Sequence, residues 1–501
     1  MGRRAAALGE RDEGARPSRR EMTRVKLVVV GGGITGLAAA HRAVELARER
    51  SVKLELTLVE ARDRLGGTIA TERAGGFLVE AGPDSFLSEK PWALALCRRL
   101  GVEHRLVRTD DRFRKVFVWH AGRLHALPDG FQLLAPTKLG PFIKSDLFSW
   151  PGKLRMALDL VKPRGTADDE SLGAFVRRRL GREALERVAQ PLVAGIYTAD
   201  PDDLSLTATM PRFSELERRE RSIILALWRA NRRAPQTGTS GARWSLFVTF
   251  QNGMEELVTE IASRLPPGSV LLKHRVDGIE RSGRSWRVAG GLGPALEADH
   301  VVVAAESYTA SRLLRYVDPA LATLLGEIPY ASSATVSFGF RRDDVPHPLD
   351  AFGIVVPRTE RRAVFACTFS SVKYPGRAPE GHVLLRCFVG GALNERVLES
   401  DDAELVAAAR DDLRVALGIS AEPGLTRVAR WTKAMPQYHV GHSGRVETIE
   451  HCAAALPGLH LAGGAYRGVG IADCVRSGEA AAARVFGAAP ASHDRDRSEL
   501  Q

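Results

Sequence analysis

The stretch from Val25 to Gly36, VKLVVVGGGITG, constrains the fold of this chain more than any other. A β-branched run leads into three glycines, Gly31, Gly33 and Gly36, at the spacing G-x-G-x-x-G. In a dinucleotide-binding fold the first glycine makes a tight turn, the second lets the backbone approach a pyrophosphate, and the third lets a helix pack closely on the strand. The pattern therefore predicts a buried parallel strand and then a helix over 37–50, whose N-terminal amides face phosphate groups.

The next strand supports this interpretation. Lys53 to Glu60 reads KLELTLVE and ends in an acid. In such folds a carboxylate ~20 residues beyond the glycine motif accepts a hydrogen bond from a ribose hydroxyl, and Glu60 lies near that position. The alternative is a solvated strand end, and the glycine motif before it favours the ribose ligand. A basic loop with a second glycine pair, Gly66-Gly67, follows and is predicted to cover a diphosphate from the other side.

Composition bounds the class of protein without fixing it. A chain of 501 residues is long enough for two or three domains. The net charge of +11 indicates either an acidic partner (an anionic substrate, a membrane surface or nucleic acid) or only an arginine-rich coding bias. Five scattered cysteines without a C-x-x-C pair argue against a disulfide framework or a zinc site and favour a reducing cytosol.

The termini are expected to lie outside the fold. Residues 1–22 and 488–501 are polar and predicted to be disordered, and Met22, directly before the first strand, is a candidate start. No secretory signal and no apolar stretch of 18 residues is found in the sequence, so neither secretion nor a membrane-spanning helix is expected.

The region 131–230 has a helical pattern with basic and aromatic residues. Leu154, Ala157, Leu158 and Val161 recur at the period of an amphipathic helix, and lysines, arginines, phenylalanines and a tryptophan surround them. Such a helix either lies on an anionic membrane surface or docks on its own domain, and the pattern alone leaves both open.

Two further regions complete the organisation. Strands are predicted over 334–340, 352–356, 363–369 and 382–388, at a spacing typical of an antiparallel sheet. Near the C-terminus, HLAGGAYRGVGIADCVRSGEAAAARV predicts a strand, a glycine-rich loop and a helix, so both ends of the chain are expected to build one nucleotide site.

Five segments in this order carry a resemblance to a known family. They are EARDRLGGTIATERAGGFLVEAGPDSFL (60–87), HALPDG (125–130), PLVAGIYTADPDDLS (191–205), AMPQYHVGH (434–442) and AGGAYRGVGIADCVRSGEAAA (462–482). The chain resembles the oxygen-dependent porphyrinogen oxidases of the protoporphyrinogen oxidase type, within the amine-oxidase group of FAD flavoproteins.

The resemblance implies an α/β fold with a discontinuous Rossmann-type FAD-binding domain, an antiparallel-sheet substrate domain and an α-helical insert. The expected division is FAD-binding parts over 23–90, 236–310 and 431–487, substrate-domain parts over 91–130 and 311–430, and a membrane-associating, substrate-covering insert over 131–235.

The resemblance also implies the site residues. Those expected to contact FAD are Gly31, Gly33, Ile34, Thr35, Gly36, Glu60, Ala61, Arg62, Arg64, Leu65, Gly66, Gly67, Thr68, Gly82, Pro83, Asp84, Val276, Trp431, Gly464, Gly470 and Ile471. Those expected to contact substrate are Arg114, Lys115, Gly195, Phe352, Gly353, Val355 and Tyr374. Lys115 matches a position at which members of the family carry a propionate-binding arginine; because a lysine offers a point charge and no bidentate fork, Arg114 is an alternative. For Phe352 and Tyr374 the alternative is an ordinary place in the sheet core.

The implied reaction is oxidation of a porphyrinogen to a porphyrin by FAD and O₂, with protoporphyrinogen IX favoured over coproporphyrinogen III. More remote alternatives are another amine-oxidase-type flavoenzyme and a non-catalytic flavin- or heme-binding scaffold. No catalytic base is assigned, and no metal or nucleic acid is expected. The chain is predicted to be cytoplasmic, as a monomer or homodimer, peripheral on the inner face of the cell membrane, and to pass product to ferrochelatase.

Overall fold

The structure is a computed structural model, and it describes residues 24–132, 135–233, 246–291 and 293–487. The predictions made for residues 1–22, for Met22 and for the tail 488–501 lie outside the described residues.

A five-stranded parallel sheet forms the nucleotide-binding half, as the glycine motif and the β-branched runs predict. Its strands in spatial order are Val270–Leu271, Lys53–Val59, Arg24–Val30, His300–Val303 and Leu459–Leu461. Val28 pairs with Thr57 on one side and with Val301 on the other. The helices Ile34–Glu49, Glu255–Ala262 and Ile471–Val485 pack in one apolar core with this sheet, so segments far apart in sequence share a single core.

A seven-stranded sheet forms the second half. Its strands in spatial order are Leu425–Pro436, Tyr330–Arg341, His382–Gly390, Val364–Phe369, Gly353–Val355, Val116–His120 and Arg123–Ala126. The predicted antiparallel pairing holds except between Gly353–Val355 and Val116–His120, which run parallel. One face packs on the helix Asp402–Leu417. This helix begins with a complete capping box whose N-cap residue is Asp401. The strand Leu425–Pro436 crosses the boundary predicted at 430/431 and pairs within this sheet on both sides of it.

The opposite face of this sheet, called the site face below, is covered by the helical insert. The helices of the insert are Leu139–Lys144, Trp150–Ala157, Leu172–Arg179, Arg182–Ala184, Gln190–Tyr197, Leu206–Thr209, Pro211–Glu220 and Ile223–Arg233, with a π-helical turn over Leu185–Ala189. Apolar side chains of the insert form one core with Val118, Val355 and Ala366 of the sheet. The insert therefore closes over the sheet, as the resemblance implies.

The apolar stripe predicted in the insert faces outward. In and just beyond the helix Trp150–Ala157 the buried side chains are Lys153, Met156 and Asp159. Leu154 is 69% exposed and Val161 66% exposed. A helical period shows that one face is apolar but not which way that face points.

Smaller elements join the two halves. The strands are Thr71–Ala74, Phe77–Glu80, Phe86–Leu87, Leu106–Arg108, Phe131–Gln132, Ala135–Pro136, Phe247–Phe250, Val276–Ser282, Ser285–Gly290 and Leu296–Ala298, and the helices are Pro91–Arg99, Ser307–Leu314, Pro319–Gly326, Ser370–Lys373 and His442–Ala454. None of the helices among the described residues is both long and apolar enough to cross a membrane.

Candidate functional site

The first strand meets its helix in the geometry that the glycine motif predicts. Gly31 has φ +108°, and a Cβ there would lie 2.5 Å from the carbonyl oxygen of Ala304. At Gly36 a Cβ would lie 1.9 Å from the carbonyl oxygen of Gly31, so only glycine allows the helix this close. At Gly33, by contrast, the nearest heavy atom to a Cβ would be 4.0 Å away. The space in front of Gly33 is left open by the protein, as a bound diphosphate requires.

The helix that follows has the electrostatics of an anion site. It begins at Ile34, its N-cap residue is Gly33, no side chain caps it, and its first turn has no acidic residue. Its first backbone N–H groups are therefore left to a ligand, and the helix dipole favours a negative one. Ile34 and Thr35 are themselves buried against the core.

Glu60 lies beside this turn, where its strand ends. Its carboxylate accepts hydrogen bonds from the backbone N–H of Gly32 at 2.7 Å and of Arg62 at 2.8 Å. Its backbone carbonyl accepts from His274, two residues before Val276. The structure thus brings the predicted ribose ligand and the predicted adenine contact to the same edge of the sheet, although the Val276 carbonyl accepts from Arg312 at 3.1 Å.

The second glycine loop packs against the first. Gly66 donates its N–H to the carbonyl of Gly32, and a Cβ at Gly67 would lie 3.2 Å from the Cα of Gly33. Arg64, expected to offer charge to a diphosphate, instead donates to the carbonyls of Gly67 at 2.7 Å and Ile69 at 2.9 Å. Its visible role is to hold this loop, which contains Leu65 and Thr68, in shape. Ala61 and Arg62 are exposed at its start.

The Gly82-Pro83-Asp84 turn joins this loop to the large sheet. A Cβ at Gly82 would lie 1.9 Å from the carbonyl oxygen of Thr68, so the two segments touch through backbone. The indole of Trp431 donates to the carbonyl of Ala81 at 2.9 Å. Trp431 is thereby fixed at the boundary between the two halves, and its contact with FAD stays a prediction.

The C-terminal glycine loop closes the same site. The carbonyl of Gly464 accepts from the Tyr438 hydroxyl at 2.5 Å, and Gly470 is the uncapped N-cap of the helix that begins at Ile471. The sequence reasoning missed Gly478 in this helix, where a Cβ would lie 2.2 Å from the carbonyl oxygen of Thr35. This contact sets how closely the first and last helices approach, so Gly478 fixes the first turn of the first helix against the last helix. A glycine within an alanine-rich helix was the available signal.

The predicted FAD residues of the two glycine loops and Glu60 thus come together at one edge of the parallel sheet, while Gly82–Asp84 and Trp431 lie where this half meets the large sheet. An open glycine approach, the uncapped N-terminus of the helix Ile34–Glu49 and a carboxylate after the second strand fit the diphosphate and ribose of FAD.

Two of the predicted substrate residues, Gly353 and Val355, lie on the site face. The register places Val355 beside Val118 and Ala366, and Ala366 opposite Phe388. These side chains form an apolar wall beneath the insert: Val118, Val355 and Ala366 are buried, and Phe388 is half-buried. Gly353 lies on the same face and has φ +159°.

The basic pair lies at one end of this wall. Phe352 donates its backbone N–H to the carbonyl of Lys115 at 2.9 Å. The Lys115 ammonium lies 3.5 Å from Asp350 and is 54% exposed; the Arg114 guanidinium lies 3.6 Å from Asp111 and is 55% exposed. Each cation is exposed and only loosely paired, so each is available to a carboxylate ligand.

The sequence GIYTAD (195–200) predicts a loop, but the structure places Gly195 in a helix. It lies in the last turn of the helix Gln190–Tyr197, and the chain turns at Thr198, which has φ +50°. The structure corrects the loop predicted over 195–200 to a helix end. No heavy atom lies within 4 Å of a Cβ built at Gly195, so the helix presents bare backbone to open space.

A buried charge cluster beside the wall pairs Asp84, a predicted FAD contact, with two cations that the sequence reasoning missed. Lys373 lies 3.3 Å and Arg386 3.6 Å from the Asp84 carboxylate, and Arg386 also donates to the carbonyl of Gly82 at 2.7 Å. Burial acts to raise the pKa of Asp84, but the two cations outweigh it and hold that pKa well below its usual range. Burial lowers the pKa of Lys373, and Asp84 opposes the shift. Tyr374 is 1% exposed beneath the Lys373 ammonium, so its stacking on a substrate stays a prediction.

A cavity of about 270 Å³ adjoins the wall at its other end. It lies between Ala194 and Thr198 of the helical insert and the strand ends at Val356 and Phe365. The predicted substrate strand therefore has open space beside it, next to the helix that carries Gly195.

Comparisons with known proteins agree with this architecture. The family model of flavin-containing amine oxidoreductases matches residues 34–486. The chain is 39% identical to the coproporphyrinogen III oxidase of Bacillus subtilis, over 91% of this chain and 96% of the relative. It is 31% identical to the chloroplastic protoporphyrinogen oxidase 1 of Arabidopsis thaliana, over 89% of this chain and 85% of the relative. A crystal structure of a candidate protoporphyrinogen oxidase from Exiguobacterium superimposes with a TM-score of 0.81 at 32% identity, over 93% of this chain and 99% of that one.

Proposed function

Because the chain belongs to the flavin-containing amine oxidoreductases, whose cofactor here is FAD, we propose that it oxidises a porphyrinogen to a porphyrin in heme biosynthesis. The observation that carries the proposal is the apolar wall formed by Val355, Ala366 and Phe388 beneath the insert, with a cavity lined by the exposed cations Arg358 and Arg361 at its end. A porphyrinogen has a broad apolar ring and carboxylate arms, so it matches both features.

The chemistry requires the macrocycle to lose six hydrogen atoms. Bound FAD accepts these electrons in pairs and passes them to O₂, so one porphyrinogen and three O₂ give one porphyrin and three H₂O₂. The protein's own part is to hold the ring against the wall, to bind its carboxylates and to exclude water beneath the helical insert.

We favour coproporphyrinogen III as the substrate. The names of the bacterial relatives support this choice. The relatives from Bacillus subtilis, Propionibacterium freudenreichii and Staphylococcus aureus are all named coproporphyrinogen III oxidase. The sequence-based preference for protoporphyrinogen IX stays a prediction, supported by the plant and bovine relatives of that name.

The deciding experiment gives the FAD-loaded protein each porphyrinogen in air and follows porphyrin fluorescence together with H₂O₂. Faster oxidation of coproporphyrinogen III supports the proposal, and faster oxidation of protoporphyrinogen IX corrects the substrate only. Oxidation of neither by a fully FAD-loaded protein contradicts the proposed function.

We also propose that the outward face of the insert contacts an anionic membrane at the inner surface of the cell. Seven of the fourteen exposed large apolar side chains among the described residues lie between positions 139 and 161: Leu139, Ile143, Trp150, Leu154, Leu158, Leu160 and Val161. Exposed cations, Lys138, Lys144 and Arg164, flank this segment. Apolar residues with basic neighbours favour the interface of anionic lipid.

Co-sedimentation with vesicles of anionic or of neutral phospholipid tests the membrane proposal. The variant Trp150→Ser/Leu154→Ser/Val161→Ser is expected to lose binding to anionic vesicles. Its control removes three exposed apolar side chains elsewhere, Leu272, Tyr316 and Val415, and is expected to bind like the unmodified protein. Equal binding by both triple variants would refute the assignment.

A further inference from the structure

The cavity beside the apolar wall has a basic rim. Arg358, Arg361 and Arg362 line it, together with Gln190 and Asn394. Its volume of about 270 Å³ is below the roughly 300–1,000 Å³ of a typical small-molecule pocket. It is therefore too small for a macrocycle and suits a side arm that carries an anion.

The three guanidinium groups differ in how far they are already neutralised. Arg362 stacks over the ring of Trp119 at 4.7 Å and lies 3.5 Å from Asp412, so it has a structural role. Arg358 is 64% exposed and lies 3.6 Å from Asp200, too far for a good hydrogen bond.

Arg361 is exposed and held in the left-handed region at φ +53°. Within the described part of the chain no carboxylate pairs with it. A loosely paired cation and an unpaired cation thus face one cavity.

This rim lies opposite the other cationic group of the site. Lys115 adjoins Phe352, where the substrate strand begins, and Arg358 follows six residues after Phe352. At ~3.3 Å per residue the two ends are at most about 20 Å apart. Val355, Ala366 and Phe388 form the wall between them. The substrate strand therefore has an exposed cation beyond each of its ends, with the apolar wall between them.

The two candidate substrates differ in where they carry carboxylates. Coproporphyrinogen III has a propionate on every pyrrole, hence at both edges of the ring. Protoporphyrinogen IX has propionates on two adjacent pyrroles only, and vinyl groups at the opposite edge.

We infer that Arg358 and Arg361 bind the propionates that coproporphyrinogen III carries and protoporphyrinogen IX lacks. The inference rests on the proposed function and names the residues that set its specificity. A ring lying along the wall reaches Lys115 with one edge and the cavity with the other. Guanidinium groups suit this task because they bind carboxylates through paired N–H donors.

The test is the double variant Arg358→Gln/Arg361→Gln. Both side chains are exposed, so its melting temperature is expected to match that of the unmodified protein. KM for coproporphyrinogen III is expected to rise at least about tenfold, because one or two charge-assisted hydrogen bonds to the substrate are lost. KM for protoporphyrinogen IX and kcat for both substrates are expected to stay within about twofold.

The matched control is Arg284→Gln/Arg287→Gln, which removes two exposed arginines from the hairpin of Val276–Ser282 and Ser285–Gly290. It lowers the net charge equally and is expected to change neither KM. A rise in KM that both double variants share would show a general charge effect and overturn the inference.

A second readout does not depend on turnover. Binding of coproporphyrin III and of protoporphyrin IX is measured from the quenching of tryptophan fluorescence. The double variant is expected to bind coproporphyrin III about tenfold more weakly and protoporphyrin IX unchanged. Equal effects on both porphyrins, or no effect, would overturn the inference. Failure of the unmodified protein to oxidise any porphyrinogen would instead refute the proposed function, so the two failures are distinct.

Discussion

Replacement of Gly33 by valine separates cofactor binding from folding. Gly33 has φ −70°, which any residue adopts, and a Cβ there would find no protein atom nearer than 4.0 Å. A branched residue at a helix N-cap costs about 1 kcal/mol. The Gly33→Val protein is therefore expected to fold with nearly unchanged stability, because the space that valine enters is empty of protein.

The same valine occupies the approach to the helix N-terminus. Two charge-assisted hydrogen bonds to a diphosphate, at about 1.5–3 kcal/mol each, would be lost. The total of about 3–6 kcal/mol corresponds to FAD binding at least about 100-fold weaker. The purified variant should be colourless yet show a cooperative thermal transition after the protein has been saturated with FAD and desalted.

The assay compares visible flavin absorbance and far-ultraviolet circular dichroism for three variants. Gly444→Val places the same side chain in open space on another helix and is expected to keep FAD. Gly36→Ala creates the 1.9 Å contact with the carbonyl of Gly31 and is expected to lose both fold and FAD. A Gly33→Val protein that stays fully yellow would refute the cofactor assignment, and one that unfolds would refute the claim that this space belongs to the ligand.

Further predictions concern stability. Gly478→Val is expected to destabilise by at least about 1–3 kcal/mol in urea unfolding, since its Cβ would meet the backbone of Thr35 at 2.2 Å and neither helix can retreat freely; an unchanged midpoint would contradict this. Asp84→Asn is expected to destabilise by about 3–5 kcal/mol, because it leaves Lys373 and Arg386 buried without their anion. The pKa of Asp84 is depressed in the folded state. The contribution of this carboxylate to the free energy of unfolding is therefore present at neutral pH and is lost as the pH falls below the ordinary carboxyl range. The urea midpoint of the unmodified protein should fall more steeply with acid than that of Asp84→Asn.

Local rules predicted the parts of the site whose function depends on backbone. Gly31 and Gly36 were predictable because a turn and a close helix leave no room for a Cβ, and the structure shows both contacts. Glu60 was predictable because it ends the second strand of the motif. Such motifs lie within one strand, turn and helix, so they can be recognised in the sequence without knowledge of the tertiary fold.

The parts that sequence patterns leave undetermined depend on long-range placement. Asp84 and Lys373 are 289 residues apart, and no spacing pattern connects them. Arg64 was expected at a phosphate, but the carbonyls of its own loop compete for its guanidinium and bind it. The stripe containing Leu154 has the same period whether it points inward or outward, so only the packing of the insert decides its direction.

Net charge illustrates why position carries more information than composition. The +11 charge suggested an acidic partner in general, yet much of the arginine is already engaged within the protein. Arg179 is buried, pairs with Asp159 and donates hydrogen bonds to backbone carbonyls. Arg377 donates hydrogen bonds to the carbonyls at the end of a neighbouring strand. Such groups contribute to a composition count but offer nothing to a ligand. Position singles out Lys115 and Arg361, which are exposed and loosely paired or unpaired among the described residues, as cations available to a ligand; the net charge alone does not.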